Sequence, residues 1–242
     1  MRGLTASELL DVFERGRPFG DAERALLLLE SAGDQDAASL GALSVGRRDA
    51  LMWELRERTF GSHLEGAFAC PGCGETLELS LSVEELRARS ESDGAPGIHL
   101  SIEGYEIDAR VPTCDDLVAV ERQPDLSSAR RLLLERCVRC TSNGRRRSTT
   151  RLPRPVVERV GEELAAADGR SVTELELRCP ACGEVQAVAF DIASFLWNEV
   201  RAWAPRLLEE AHTLAATHGW SEADILGMSA WRRRAYLELA AR

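Results

Sequence analysis

The chain has 242 residues, 44% hydrophobic and 29% charged, with 40 acidic against 30 basic side chains and a formal net charge of −10. That length suits one large domain or two small ones around a buried core, and the composition excludes a disordered polyelectrolyte. The acidic balance argues against a general nucleic-acid binder, and no apolar run approaches the ~18 residues of a membrane span or forms the apolar segment of a signal peptide.

Taken in order, the chain begins with helix signals. Thr5-Ala6-Ser7-Glu8 has the form of a capping box, which predicts a helix through Leu9, Leu10 and Phe13 that stops at Gly16. Asp21 is placed to cap a second helix carrying Ala25 to Leu29 and ending near Gly33. Ser44 is placed to cap a third, with Leu51, Met52, Leu55 and Phe60 at helical spacing and Gly61 as its stop. Residues 1–66 are expected to form an N-terminal helical layer with no catalytic feature.

Cys70-Pro71-Gly72-Cys73-Gly74 follows, and Cys179-Pro180-Ala181-Cys182-Gly183 repeats the pattern. C-x2-C spacing in a tight turn aims two sulfurs at one ion, and two such knuckles complete the tetrahedron that Zn²⁺ prefers, leaving no open position. Proline stiffens each turn and glycine tolerates the positive φ it needs. An alternating run follows each knuckle, Thr76 to Leu81 and Val185 to Phe190, so the pair reads as two arms of one zinc ribbon. The expected ligands of a structural Zn²⁺ are Cys70, Cys73, Cys179 and Cys182; the alternatives are two half-sites completed by other ligands, or four reduced thiols without metal. The 105 residues between Cys73 and Cys179 far exceed the ~15–20 of an ordinary ribbon. Loop closure grows by only about 0.6 kcal/mol per doubling, so the excess costs about 1.5 kcal/mol, against about 10–16 kcal/mol for structural zinc. The insertion is tolerable if it folds and returns its ends together. Paired C-x2-C motifs with an odd seventh cysteine favour a reducing cytoplasm over a disulfide framework.

Within the insertion, Ser82-Val83-Glu84-Glu85 predicts a short polar helix and Ser90 to Gly97 a loop. Ile98 to Ile102 and Tyr105 to Val111 flank Glu103-Gly104 as a β-hairpin, with His99 on the polar side and solvent-facing. Thr113 caps a helix whose first turn holds Asp115 and Asp116, explained by the helix dipole. Cys114 at that N-terminus has no histidine to activate it. Asp125 to Arg139 reads as helix, with the third C-x2-C, Cys137 and Cys140, at its end as two incidental thiols. Arg145 to Arg154 is the one basic segment; without interleaved aromatics it reads as a solvated loop or a contact for an acidic partner, with a grip on nucleic-acid phosphates as the alternative. Pro155 begins a helix closed by Gly169, and Val172 to Leu177 is a strand entering the second knuckle. Residues 67–191 are expected to form the split ribbon and hairpin with inserted helices.

Asp191 caps the longest predicted helix, Ile192 to about His218, with Phe195, Leu196, Val200, Trp203, Leu207 and Leu208 inward, Trp197 off the stripe and exposed, and a kink at Pro205. Trp220 is placed to staple onto Ile225, and Ser229 opens a last helix whose Trp231 and Arg232 to Arg234 either dock on the core or form an interface patch. Residues 192–242 form the third part, and the three together are expected to make one unit. The fold class is α+β: mostly helical, with a small antiparallel sheet around a split four-cysteine zinc ribbon and a β-hairpin.

No enzyme signature is present. The histidines His63, His99, His212 and His218 lie outside any H-E-x-x-H or nucleophile motif, and Walker, dinucleotide and Gly-x-Ser-x-Gly patterns are missing. The order Arg24 to Leu29, Gly46 to Leu51, Cys-Pro-Gly-Cys-Gly-Glu and Val111 to Leu117, with the ending Gly219 to Met228 and Trp231 to Leu237, resembles baseplate-associated proteins of phage-tail-like contractile injection systems, grouped with T4-type phage baseplate hub and assembly proteins. The resemblance implies a non-enzymatic baseplate component or assembly chaperone. It also implies hub, spike or tail-tube proteins as partners and entry into a phage-tail-like particle, while charge, hydropathy and cysteine usage point to no nucleic acid, no membrane insertion and a cytoplasmic protein. The knuckles depart from that phage pattern. The alternative classes are a zinc-ribbon module for nucleic acid or transcription, and an enzyme using a thiol or an open zinc position.

Overall fold

The helix expected from Asp191 is the longest element of a computed structural model that describes residues 1–33, 35–84, 95–168 and 173–241, apart from the side chains of Phe68, Leu79, Thr173 and Glu174. Among these residues lie ten α-helices: α1 (Ala6–Gly16), α2 (Asp21–Ala32), α3 (Ala37–Gly41), α4 (Val45–Phe60), α5 (Cys114–Glu121), α6 (Leu126–Cys137), α7 (Arg154–Ala167), α8 (Ile192–His218), α9 (Glu222–Leu226) and α10 (Ala230–Ala240). Eight strands make three antiparallel sheets. β1 (His63–Ala69) pairs with β2 (Thr76–Ser82), and β7 (Thr173–Arg178) pairs with β8 (Val185–Phe190). Between them β3 (Gly97–Ile102), β4 (Tyr105–Arg110), β5 (Val138–Ser142) and β6 (Arg145–Arg147) form a four-stranded sheet in chain order. The α+β class holds, with the expected small sheet divided into three.

Local chemistry sets most boundaries. The Thr5–Glu8 capping box forms at α1, with the Thr5 amide donating to Glu8 at 2.9 Å. Ser44 accepts from the Arg47 amide at the start of α4, and Asp191 accepts from the Ala193 amide at the start of α8. Glu103 and Gly104 have φ of 49° and 75°, the two left-handed positions of a tight hairpin turn.

The main core joins the ends of the chain. Leu9, Val12, Leu28, Met52 and Trp53 of the first helices pack with Ile192, Leu196 and Val200 of α8, and Leu64 of β1, Val83 and Leu175 of β7 join them. Both knuckle hairpins are thus rooted in one core. The insertion has its own core, in which Ile107, Val138 and Cys140 of the sheet face Val156 and Val160 of α7. It is latched back at several points. Ser44 and the Gly46 amide donate to the two carboxylate oxygens of Asp168 at 2.8 and 3.0 Å, and the Cys114 amide donates to the Leu43 carbonyl at 2.9 Å.

Several expectations are corrected. Asp21 is not the cap of α2: it pairs with Arg24, and the Ala22 amide donates at 2.8 Å to Glu121, a cap supplied from α5. The expected helix to Arg139 ends at Cys137, so Cys140 lies in β5, and Arg145–Arg147 is an outer strand, not a loop. Trp197 is buried, stacked on Phe13 at 6.1 Å with the Arg24 guanidinium 4.7 Å from its ring centre. It comes so close to Gly16 that a Cβ there would lie 2.6 Å from the ring. The apolar face of α8 is wide because helices flank it on two sides, and Leu208, expected inward, is exposed. The short helix expected from Ser82, the loop from Ser90, and the stop at Gly169 lie wholly or largely outside the described residues.

Candidate metal centre

Each knuckle is the tip of its own hairpin. β1 and β2 pair down to Ala69↔Thr76, and β7 and β8 down to Arg178↔Val185. In both tips the first cysteine's amide donates to the carbonyl five residues on, Cys70 to Glu75 and Cys179 to Glu184, each at 2.8 Å. In both, the glycine amide returns a bond to that cysteine's carbonyl, at 2.7 Å from Gly74 and 2.9 Å from Gly183. Gly74 and Gly183 share a φ of 77°, which only glycine adopts without strain.

The two tips meet. Cys70 Sγ lies 3.7 Å from Cys182 Sγ, and Cys73 Sγ lies 3.7 Å from Cys179 Sγ. All four sulfurs fall within 4.8 Å of one another. A disulfide would need ~2.05 Å, whereas four sulfurs held ~2.3 Å from one ion stand about 3.8 Å apart. The spacing therefore suits four ligands around a cation. Cys70 and Cys179 are buried against Leu77, and Cys73 and Cys182 face solvent. Gln186 Nε2 donates to Cys70 Sγ at 3.6 Å, support for a thiolate from outside the ligand set. Without a cation the sulfurs compete for protons. The Cys182 amide holds the Cys179 thiol down to about 7. The Glu75 amide pulls on Cys73, but desolvation and the neighbouring sulfurs push it up to about 12. A dication removes that conflict by stabilising all four thiolates at once. Among the described residues no other group of three or more His, Cys, Asp or Glu is disposed to hold a metal.

A family model described as T4 bacteriophage base plate protein matches residues 25–197, which take in both knuckles. The chain belongs to this family. The segments Gly219 to Met228 and Trp231 to Leu237 lie beyond the matched span, so the likeness read there is not part of the match. Neither a curated protein nor a solved structure matches the chain. Among the described residues of this T4-type base plate protein, no helix is long and apolar enough to cross a membrane.

The base plate protein's other candidate residues stand apart from the cysteine cluster. His99 is solvent-facing, as expected, and its bond to Asp108 at 2.7 Å raises its pKa. Cys137 Sγ donates to Asp116 at 3.6 Å and Cys140 Sγ to the Arg147 carbonyl at 3.3 Å, so this pair is spent on local bonds. Cys114 is fully buried, and burial pushes its thiol up to about 11. A buried neutral thiol is a poor nucleophile. In the folded protein with its metal bound, Cys114 and Cys137 are expected to resist Ellman's reagent and to react only after denaturation; immediate labelling of Cys114 would contradict its placement.

Asp116 is the polar residue whose importance the sequence hid. It is fully buried, and it accepts from Arg110 at 2.5 and 3.0 Å, from Arg136 at 2.5 Å and from the Thr113 amide at 2.9 Å. That Thr113 caps the helix was readable; the return bond from Asp116 and the two arginines were not. Near the C-terminus, Arg233 is buried and paired with Glu210 at 3.1 Å, which leaves Trp231, Arg232 and Arg234 as the exposed remainder of the patch.

Proposed function

We propose that this base plate family member is a non-enzymatic structural or assembly component of a phage-tail-like contractile baseplate. Its shape is set by one structural Zn²⁺ on Cys70, Cys73, Cys179 and Cys182. The observation that carries the reading is the meeting of four sulfurs from two hairpins that share a core but stand 105 residues apart in the chain. Four thiolates fill a zinc tetrahedron, so neither substrate nor activated water has a position on the ion, and its role is architectural. Closing the tips ties the start of the insertion to its end and fixes how the four-stranded sheet is presented. The parts 1–66, 67–191 and 192–242 then act as one unit.

The partners on this reading are other baseplate, hub, spike or tail-tube proteins, met in the cytoplasm and carried into the particle. Affinity purification of the tagged chain, co-expressed with tube, spike and hub proteins of a contractile tail from the same genome, tests this. The expected result is a stable complex with at least one of them, lost in Cys179→Ser. A chain that remains alone with every such protein contradicts the assembly role.

A further inference from the structure

Between Glu135 and Glu158 the chain runs 22 residues without an acidic side chain and with seven arginines, inside a protein of net charge −10. Arg136 is paired with Asp116 and Arg154 with Glu158. The other five, Arg139, Arg145, Arg146, Arg147 and Arg151, are exposed and have no ion-pair partner among the described residues. Other exposed arginines, such as Arg17, Arg47, Arg201 and Arg206, also lack an ion pair among the described residues; what sets these five apart is that they fall within 13 residues with no acidic side chain among them. On one face β4 sets Asp108 opposite Arg139 and Glu106 opposite Thr141, the partner of Arg146. Arg145, Arg147 and Arg151 have no such carboxylate across the sheet, and they repel one another and Arg146 unless an anion lies among them.

The hairpin arranges them in a particular way. The two-residue turn Asn143-Gly144 closes on Ser142↔Arg145, followed by Thr141↔Arg146 and Cys140↔Arg147. Pairs flanking such a turn exchange hydrogen bonds and the next pair does not. The Arg146 amide and carbonyl therefore point away from β5, and β6 is the outer strand with an open edge. The Arg146 side chain shares a face with Arg139, and both line a groove of about 740 Å³ with Arg110 and Arg136; Asp108 and Glu135 also border it. Arg145 and Arg147 take the other face at the same edge. Residues 136–157 contain no aromatic side chain on which a nucleobase would stack.

We propose that the β6 edge docks an acidic, extended segment of a partner protein. The segment adds a strand beside Arg146 and lays alternate carboxylates on Arg139 and Arg146 on one face and on Arg145 and Arg147 on the other. Main-chain bonds give such strand addition its grip, and side chains on alternate faces give it selectivity. Charge alone would serve to blunt the edge against aggregation, but one or two arginines suffice for that. The inference stands independently of the metal and baseplate readings.

Fluorescence anisotropy on the full chain tests it, with a labelled short peptide alternating glutamate and threonine, a lysine–threonine counterpart, and a single-stranded DNA oligonucleotide. The glutamate peptide is expected to bind and to weaken with salt, and the lysine peptide not to bind. The R139S/R146S double variant is expected to lose about tenfold or more in affinity with its melting temperature unchanged. The R232S/R234S variant, with the same change in charge elsewhere, is expected to keep binding. Failure of the glutamate peptide to bind, equal binding by the hairpin variant, equal loss in the distant variant, or tighter binding of DNA would each overturn the proposal.

Discussion

Cys179→Ala is expected to abolish stoichiometric zinc binding and to lower the melting temperature by about 10 °C or more, on a scale of about 2–4 °C per kcal/mol for a chain of this size. The substitution leaves three thiolates, and it removes a buried sulfur that stands 3.7 Å from Cys73 Sγ. The loss should fall well short of the ~10–16 kcal/mol of isolated zinc fingers, because Leu64, Val83 and Leu175 still root both hairpins in the main core. Loss of the tips with survival of the core is the expected pattern. A strong chelator should reproduce the shift in the unsubstituted protein and add nothing in the variant. Cys114→Ala, outside the cluster, should leave the zinc content unchanged. Thermal melts with parallel metal analysis of the three proteins decide the matter, and equal melting temperatures with and without chelator would remove zinc from the account.

The second large effect is expected at Asp116. Asp116→Ala leaves Arg110 and Arg136 without their shared partner and strips the capping box from α5. Breaking a buried pair costs about 3–5 kcal/mol, and because both arginines keep access to water the lower end, about 3 kcal/mol, is expected. The pH dependence gives an independent check. Burial alone would raise the Asp116 carboxyl, but Arg110, the Thr113 amide and Arg136 hold it well below the usual carboxylate range. Its stabilisation is therefore complete above the unfolded value near ~3.9 and is lost as pH falls toward the lower folded value. Asp49 runs the other way. Burial pushes it up to about 6 against the pull of Arg48, so the folded state gains a proton, and relative stability, as pH falls from above 6 toward ~4. In urea titrations the gap between wild type and Asp116→Ala should be full at pH 7 and shrink below ~pH 4. A gap that does not change with pH would assign the loss to packing instead.

What could be read from the sequence was local. The knuckles carry their own turn chemistry within five residues, and the Thr5, Ser44, Asp191 and Ser229 caps act within three. The Glu103-Gly104 turn and the long helix likewise depend on neighbours. What escaped depends on partners far along the chain or on weak local preference. β1 contains Gly66, Ala67 and Ala69, poor strand formers that pairing with β2 overrides. β6 exposes all three of its arginines, so no alternation marks it as a strand. α3 has five residues, too few for a period to show. Glu121 caps a helix 99 residues away, and Arg136 reaches Asp116 across 20 residues. Trp197 became buried because Gly16 leaves room for its ring, a vacancy visible only once α1 and α8 are packed. The cysteine set could be named from spacing; that its two halves meet was open until the insertion was seen to fold on a core of its own.

The most direct test of the central claim is cobalt substitution of the purified full chain, read by absorption spectroscopy alongside elemental analysis. One zinc per chain, replaced by cobalt with the intense visible bands of a tetrahedral tetrathiolate, is the expected result. A protein that folds and melts identically while binding neither ion, or a cobalt spectrum of an octahedral oxygen site, would contradict it.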